Sequence, residues 1–156
     1  TGQQNNALGH NALVTNTTGS YNVAVGEQSL TNSNGSDNTG CGHRTLQANT
    51  TGSKNTAVGY NALLANTTGS DNTAIGQQAL DANTTASYNT AMGVDALGAN
   101  TTANRNTAIG TRALQDNTTG AENTGIGRQA LQSNTTGVQN TAAGAESSSP
   151  ASSGGS

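Results

Sequence analysis

The chain has 156 residues, 30% of them hydrophobic and 8% charged, with a net charge of −3, one Pro and no Phe or Trp. The length suits one domain, and so low a charge separates it from disordered chains, which are usually highly charged as well as poorly hydrophobic. Lys54 and four scattered Arg form no basic patch for phosphates, no apolar run approaches a membrane span and no signal peptide is read, so neither nucleic-acid binding nor membrane insertion is expected.

Taken in chain order, one phrase recurs: N-T-A-V-G-x-x-A-L-x-x-N-T-T-G-x-x, complete at Asn55 and returning at Asn5, Asn22, Asn38, Asn72, Asn89, Asn106, Asn123 and Asn140. The step is 17 residues, except for one of 16 from Asn22 to Asn38, read here as a residue missing between Leu30 and Asn32. A fixed short period marks units that cannot bury an apolar face alone and must stack. Thr1-Gly2 matches Thr68-Gly69, so the chain is expected to be a processed product or part of something longer.

Within each repeat, Thr-Ala-Val and Ala-Leu fit strands of two to four residues, while Gly, Asn and Thr disfavour helix. The expected fold is all-β, a parallel β-solenoid of about nine coils, one repeat per coil. It spans residues 1–145 and rises on the order of 40 Å at strand spacing. Residues 146–156, ESSSPASSGGS, break the pattern and read as a flexible tail. The Gly59 column holds Gly in every copy, which suggests a corner with positive φ. Asn55 and Asn66 suit the other bends through αL, and stacked Asn side chains can bond from coil to coil.

Two apolar columns form the expected core. One is Val25, Cys41, Val58, Ile75, Met92, Ile109 and Ile126; the other is Leu30, Leu46, Leu63, Leu80, Leu97, Leu114 and Leu131. Cys41, the only cysteine, is then an apolar filler. Adjacent strand residues point to opposite faces. With Val58 inside, Ala57, Ala74, Ala91 and Ala108 face outward as a smooth surface, read as a contact between chains. The reverse assignment sets Ala on the narrow inside and Val58 outside.

The motif N-T-A-V-G-x-x-A-L resembles the N-S-V-A-I-G-x-x-S/A head repeat of YadA-like trimeric autotransporter adhesins, and similar runs in phage-type tail-fibre proteins. The resemblance covers about residues 5–144. It implies a left-handed parallel β-roll, with three chains side by side in an adhesive head. The family's coils are shorter, and Thr56 stands where the family has the first of two β-branched residues flanking Ala.

A uniform rod offers no converging set of unlike groups, so no enzyme, cofactor or catalytic residue is expected. His10, Glu27 and His43 fall in one column, but two coil rises separate the His residues, too far for one metal ion. Asn16, Asn34, Asn49, Asn66, Asn83, Asn100, Asn117 and Asn134 are Asn-x-Ser/Thr acceptors, open to sugar in a glycosylating route or simply turn residues. The expected function is a non-enzymatic extracellular structural or adhesive fibre module, at a cell or virion surface. Its partners are copies of itself, as a homotrimer or an end-to-end filament, and a host or environmental surface ligand. The alternative is an ice-binding solenoid using the Thr columns.

Overall fold

The computed structural model describes residues 2–148, so the tail expected over residues 146–156 lies, from residue 149 on, outside the described residues. Among the described residues, nine strands of three residues stack in sequence order into one parallel sheet. They are β1 (Asn6–Leu8), β2 (Val23–Val25), β3 (Thr39–Cys41), β4 (Thr56–Val58), β5 (Thr73–Ile75), β6 (Thr90–Met92), β7 (Thr107–Ile109), β8 (Thr124–Ile126) and β9 (Thr141–Ala143). Each strand pairs with its equivalent one repeat on, as Thr56 with Thr73 and Val58 with Ile75. The chain is a β-solenoid, one repeat to a coil.

The core differs from the expected one. The Leu63 column is fully buried from Leu30 to Leu114, but the residue facing it across the coil is Ala57, not Val58. Ala24, Ala57, Ala74, Ala91 and Ala108 have no exposed surface, whereas Val25, Val58, Ile75, Met92, Ile109 and Ile126 are 36–42% exposed, and Cys41 is exposed. Two readings are thereby corrected. The Val58 column lies outside the core, and the Ala57 column lies inside its own chain, where no second chain can reach it.

The reason is width. At Gly40, an added Cβ would meet Ser29 Oγ at 2.5 Å and Thr45 Oγ1 at 2.8 Å. Those two residues replace Ala in the Ala62 column, which is otherwise buried Ala from β4 to β8. Ser29 and Thr45 bond each other at 2.8 Å, and Ser29 Oγ donates to Gly40 O. The larger pair on one wall is matched by the loss of a methyl on the other. The interior holds Leu and two methyl-sized groups per coil, and no more.

Leu63 and its equivalents pack by adopting left-handed φ, from 50° to 54° in all eight. That conformation costs an L-residue about 1–2 kcal/mol, against about 1.5–3 kcal/mol gained by burying a Leu side chain. Asn61 and Asp71 take φ of 58° and 57°, so the left-handed corners fall there and not at Asn55 or Asn66. The Gly59 column is a separate case. Its φ runs from 126° to 141°, and a Cβ at Gly59 would meet Gly76 O at 2.7 Å. Both conformation and contact demand glycine.

The regularly spaced Asn residues are instead buried hydrogen-bond ladders. Asn55 Nδ2 donates to Asn38 Oδ1 in the preceding coil (3.2 Å) and to Gly69 O in its own (2.8 Å), while its backbone N–H donates to Asn38 Oδ1 (3.0 Å). Asn66 Nδ2 donates to Asn49 Oδ1 (2.9 Å) and Gly69 O (3.0 Å). In the first ladder Asn38, Asn89 and Asn123 keep the backbone N–H bond to the preceding Oδ1 but give Nδ2 only to a carbonyl of their own coil, and buried Asn106 Nδ2 has no partner among the described residues.

Two substitutions separate these roles. Leu80→Asp should cost more than the ~2–5 kcal/mol of a Leu→Ala cavity, since an unpaired charge enters the core. Ala74→Glu, on an inward column, should also abolish cooperative melting followed by circular dichroism. Native-like melting of the Ala74 variant would place that column outside.

Candidate functional surface

Strand alternation decides what faces out. From β3 to β8 the first and third residues are exposed to some degree and the middle one is buried. The outer face of the sheet therefore carries two columns. One is Thr39, Thr56, Thr73, Thr90, Thr107, Thr124 and Thr141; the other is the Val58 column. Neither contains a charged residue in any coil.

The two Thr columns differ in chemistry. Thr50 Oγ1 donates to Thr67 O at 2.9 Å, Thr67 Oγ1 to Thr84 O at 2.9 Å, and Thr84 Oγ1 to Thr101 O at 3.1 Å. Those hydroxyls are committed to the backbone of the next coil. Among the described residues, the Thr56 column makes no such bond.

Charge and aromatic groups stand on either side of this face. Before the strands run Tyr21, Asp37, Lys54, Asp71, Tyr88, Arg105 and Glu122; after them run His10, Glu27, His43, Tyr60, Gln77, Val94, Thr111 and Arg128. Arg105 lies 6.0 Å over Tyr88 and 3.6 Å from Glu122. His43 stacks on Tyr60 with ring centroids 5.4 Å apart, and His10 lies 3.9 Å from Glu27. Exposed pairs of this kind contribute little to stability. Among the described residues, no three His, Cys, Asp or Glu side chains group to hold a metal ion, and no helix is long and apolar enough to cross a membrane.

The Asn-x-Ser/Thr sites are mostly inaccessible. Asn49, Asn66, Asn83, Asn100, Asn117 and Asn134 are buried, each spending both Nδ2 hydrogens, as Asn83 does on Asn66 Oδ1 and Ala86 O. Glycosylation at these six is incompatible with the coil. Asn16 and Asn34 are half-buried. The position of the missing residue is also corrected. Ser33 is buried in the Asn66 column, accepting from Asn49 Nδ2 at 3.0 Å, so the shortened coil has lost one residue of its Thr-Thr pair, not one before Asn32.

Sequence reasoning held the outward Thr56 and Val58 pair only as the reverse assignment. A signal for it was present. The Ala57 column admits only Ala and Gly, the mark of a size limit, while the Val58 column drifts through Leu8, Cys41, Met92 and Ala143. No protein-family model, curated protein or solved structure matches the chain.

One surface group has a perturbed titration. Burial pushes the Asp81 carboxyl above the ordinary aspartate value and the Asp95 charge adds to this, against an opposing hydrogen bond with Gln78. The folded state thus holds this proton more tightly than the unfolded one. Its contribution is favourable below the unfolded value and is lost as pH rises through the folded value. Asp81→Asn should match the parent's melting temperature in acid and exceed it at neutral pH. Equal melting temperatures throughout would show that the buried carboxyl carries no penalty.

Proposed function

We propose that the chain is a non-enzymatic extracellular fibre module, structural or adhesive, that associates lengthwise with copies of itself through the Thr56–Val58 face. The observation that carries this reading is the uncharged apolar column, 36–42% exposed from Val25 to Ile126 and rising the length of the rod. Contiguous exposed apolar surface of several hundred Å² is uncommon on a monomer and marks contact sites. The resemblance to trimeric adhesin heads supports the same reading.

Area favours more than two chains. A face on the order of 40 Å long and 10 Å wide offers roughly 400 Å² per chain, half of what a standard interface takes from each partner. Around a common axis, each chain would add its flanks on both sides. With rods parallel and level, the flank before a strand meets the flank after it. Glu122 then meets Arg128, Asp37 meets His43 and Lys54 meets Tyr60, with no like charges opposed. An antiparallel pair also joins opposite charges, Glu27 with Arg128, but sets Asp71 on its own copy at the centre.

Adhesion falls to the remaining columns, which differ from coil to coil and present unlike polar groups at strand spacing. A second reading follows from the unbonded Thr56 column. Seven level hydroxyls beside small apolar groups, with no charge among them, suit the ordered water of an ice surface.

Light scattering on the native chain and on Ile75→Glu with Ile109→Glu distinguishes the two. We expect an oligomer that the double variant reduces to a monomer with unchanged circular dichroism, since the new carboxylates point out of the coil. In the parallel arrangement, a short bis-maleimide should join Cys41 to Cys41. A native chain that is monomeric at all concentrations overturns self-association. Thermal hysteresis from that monomer, lost in Thr73→Lys with Thr107→Lys, would establish ice binding instead.

A further inference from the structure

We propose that the Asn34–Gly35 peptide is a self-modifying site, at which the fold promotes closure of Asn34 to a succinimide and its hydrolysis to aspartate or isoaspartate. Asn34-Gly35 is the one Asn-Gly step in the sequence. It lies in the one 16-residue coil, where Asn34 occupies the place of the Thr-Thr pair. The absence of a Cβ at Gly35 removes the steric barrier that other residues raise against attack by their own backbone nitrogen.

The shortened coil changes what Asn34 does. Elsewhere a backbone carbonyl at this position receives two amides from the preceding coil: Thr50 N–H and Thr51 N–H donate to Thr67 O at 2.8 and 3.2 Å. Here the side chain has taken over. Asn34 Oδ1 accepts from Thr17 N–H (2.8 Å) and Thr18 N–H (3.3 Å), and from their hydroxyls at 2.9 and 3.4 Å. Two fixed backbone N–H groups aimed at one amide oxygen are the arrangement that stabilises a tetrahedral oxyanion. Neither Gly35 N–H nor Asn34 Nδ2 makes a hydrogen bond among the described residues; Asn34 is half-buried and Gly35 is buried.

The chemistry closes without any co-reactant but water. Gly35 N attacks Asn34 Cγ, its proton passes to solvent base, and negative charge collects on Oδ1 against the Thr17 and Thr18 amides. Nδ2 takes a proton from solvent, the bond from Cγ to Nδ2 breaks as the oxyanion collapses, and ammonia leaves. Water then opens the ring at either carbonyl, leaving an aspartate or its β-linked isomer before Gly35. Ring closure adds no atom to the coil. The β-linked product lengthens the main chain by one carbon, in the one coil that is a residue short.

Asn66 differs at each point: it precedes Thr67, it is buried, both its Nδ2 hydrogens are bonded and its Oδ1 accepts from a side chain, Asn83 Nδ2. Asn32, exposed and two residues away, is the internal control. Its Nδ2 is bonded to Gln47 O at 3.1 Å, and no donor reaches its Oδ1.

The test is peptide mapping by mass spectrometry, resolving isoaspartate, after incubating the whole chain in mildly alkaline buffer with and without urea. We expect Asn34 to convert about tenfold faster folded than unfolded, well below what a donor contributes in an enzyme, and ahead of Asn32. Thr17→Val with Thr18→Val removes the two hydroxyl donors and keeps both amides, so it should slow the folded rate in part and leave the rate in urea unchanged. Conversion of the native chain no faster folded than in urea overturns the proposal, and that comparison needs no variant to fold.

Discussion

The structure depends on a buried side-chain amide repeated at one point of every coil. Asn55 gives both Nδ2 hydrogens and its backbone N–H to named acceptors, and its Oδ1 takes the corresponding donors from Asn72. Such a group is costly to bury unpaired. It can be paired only if the next Asn arrives one strand spacing away. A slip of one residue between coils would strand donors and acceptors in both the Asn55 and Asn66 ladders, as well as in the sheet. Register in a three-residue strand is weakly specified by its own backbone, so the ladders specify it.

Thinness follows from the same stacking and sets the chemistry of the outside. With Asn filling two corners, the interior is left with one Leu and two methyl groups per coil. Leu63 reaches it only in a left-handed conformation, and the opposite wall admits Ala or Gly alone. Larger β-branched residues, which the sheet favours, then have only the outer face available. The exposed Val58 column is thus a consequence of a narrow core. It gives the rod an apolar side without weakening any single coil.

Much of this was legible in the residues. The period, the parallel coil, the Leu63 column, the coil-to-coil Asn bonding and the glycine corner all follow from spacing and residue type. The inside of the strand did not. Alternation says that Ala57 and Val58 face opposite ways, and it is silent on which way is in. Hydrophobicity votes for Val, and volume overrules it, through a limit that the Ala-or-Gly column hints at and that Gly40, set beside Ser29 and Thr45, makes explicit. The left-handed corners were misassigned for a related reason. Asn tolerates that conformation, but at Asn55 and Asn66 its amide was needed inside, and Leu63, Asn61 and Asp71 bend in its place. The repeated Asn-Thr-Thr likewise reads as an accessible acceptor until its burial is seen.

A rod built this way repeats one backbone outline at every coil. What it can do is multiply a weak contact. One Val or Ile at partial exposure gains little against a partner, but the same gain recurs at every coil, and the rigid ladder means that the entropy of alignment is lost only once. Two neighbouring coils carry departures from the rule. Across both, Gly40, Ser29 and Thr45 trade methyl groups for hydroxyls within an unchanged outline. In the first of the two, Asn34 also replaces a backbone carbonyl by a side-chain amide, so that the hydrogen bond survives. The stacking rule tolerates both substitutions, because it fixes the position of the acceptor and leaves its chemical identity open.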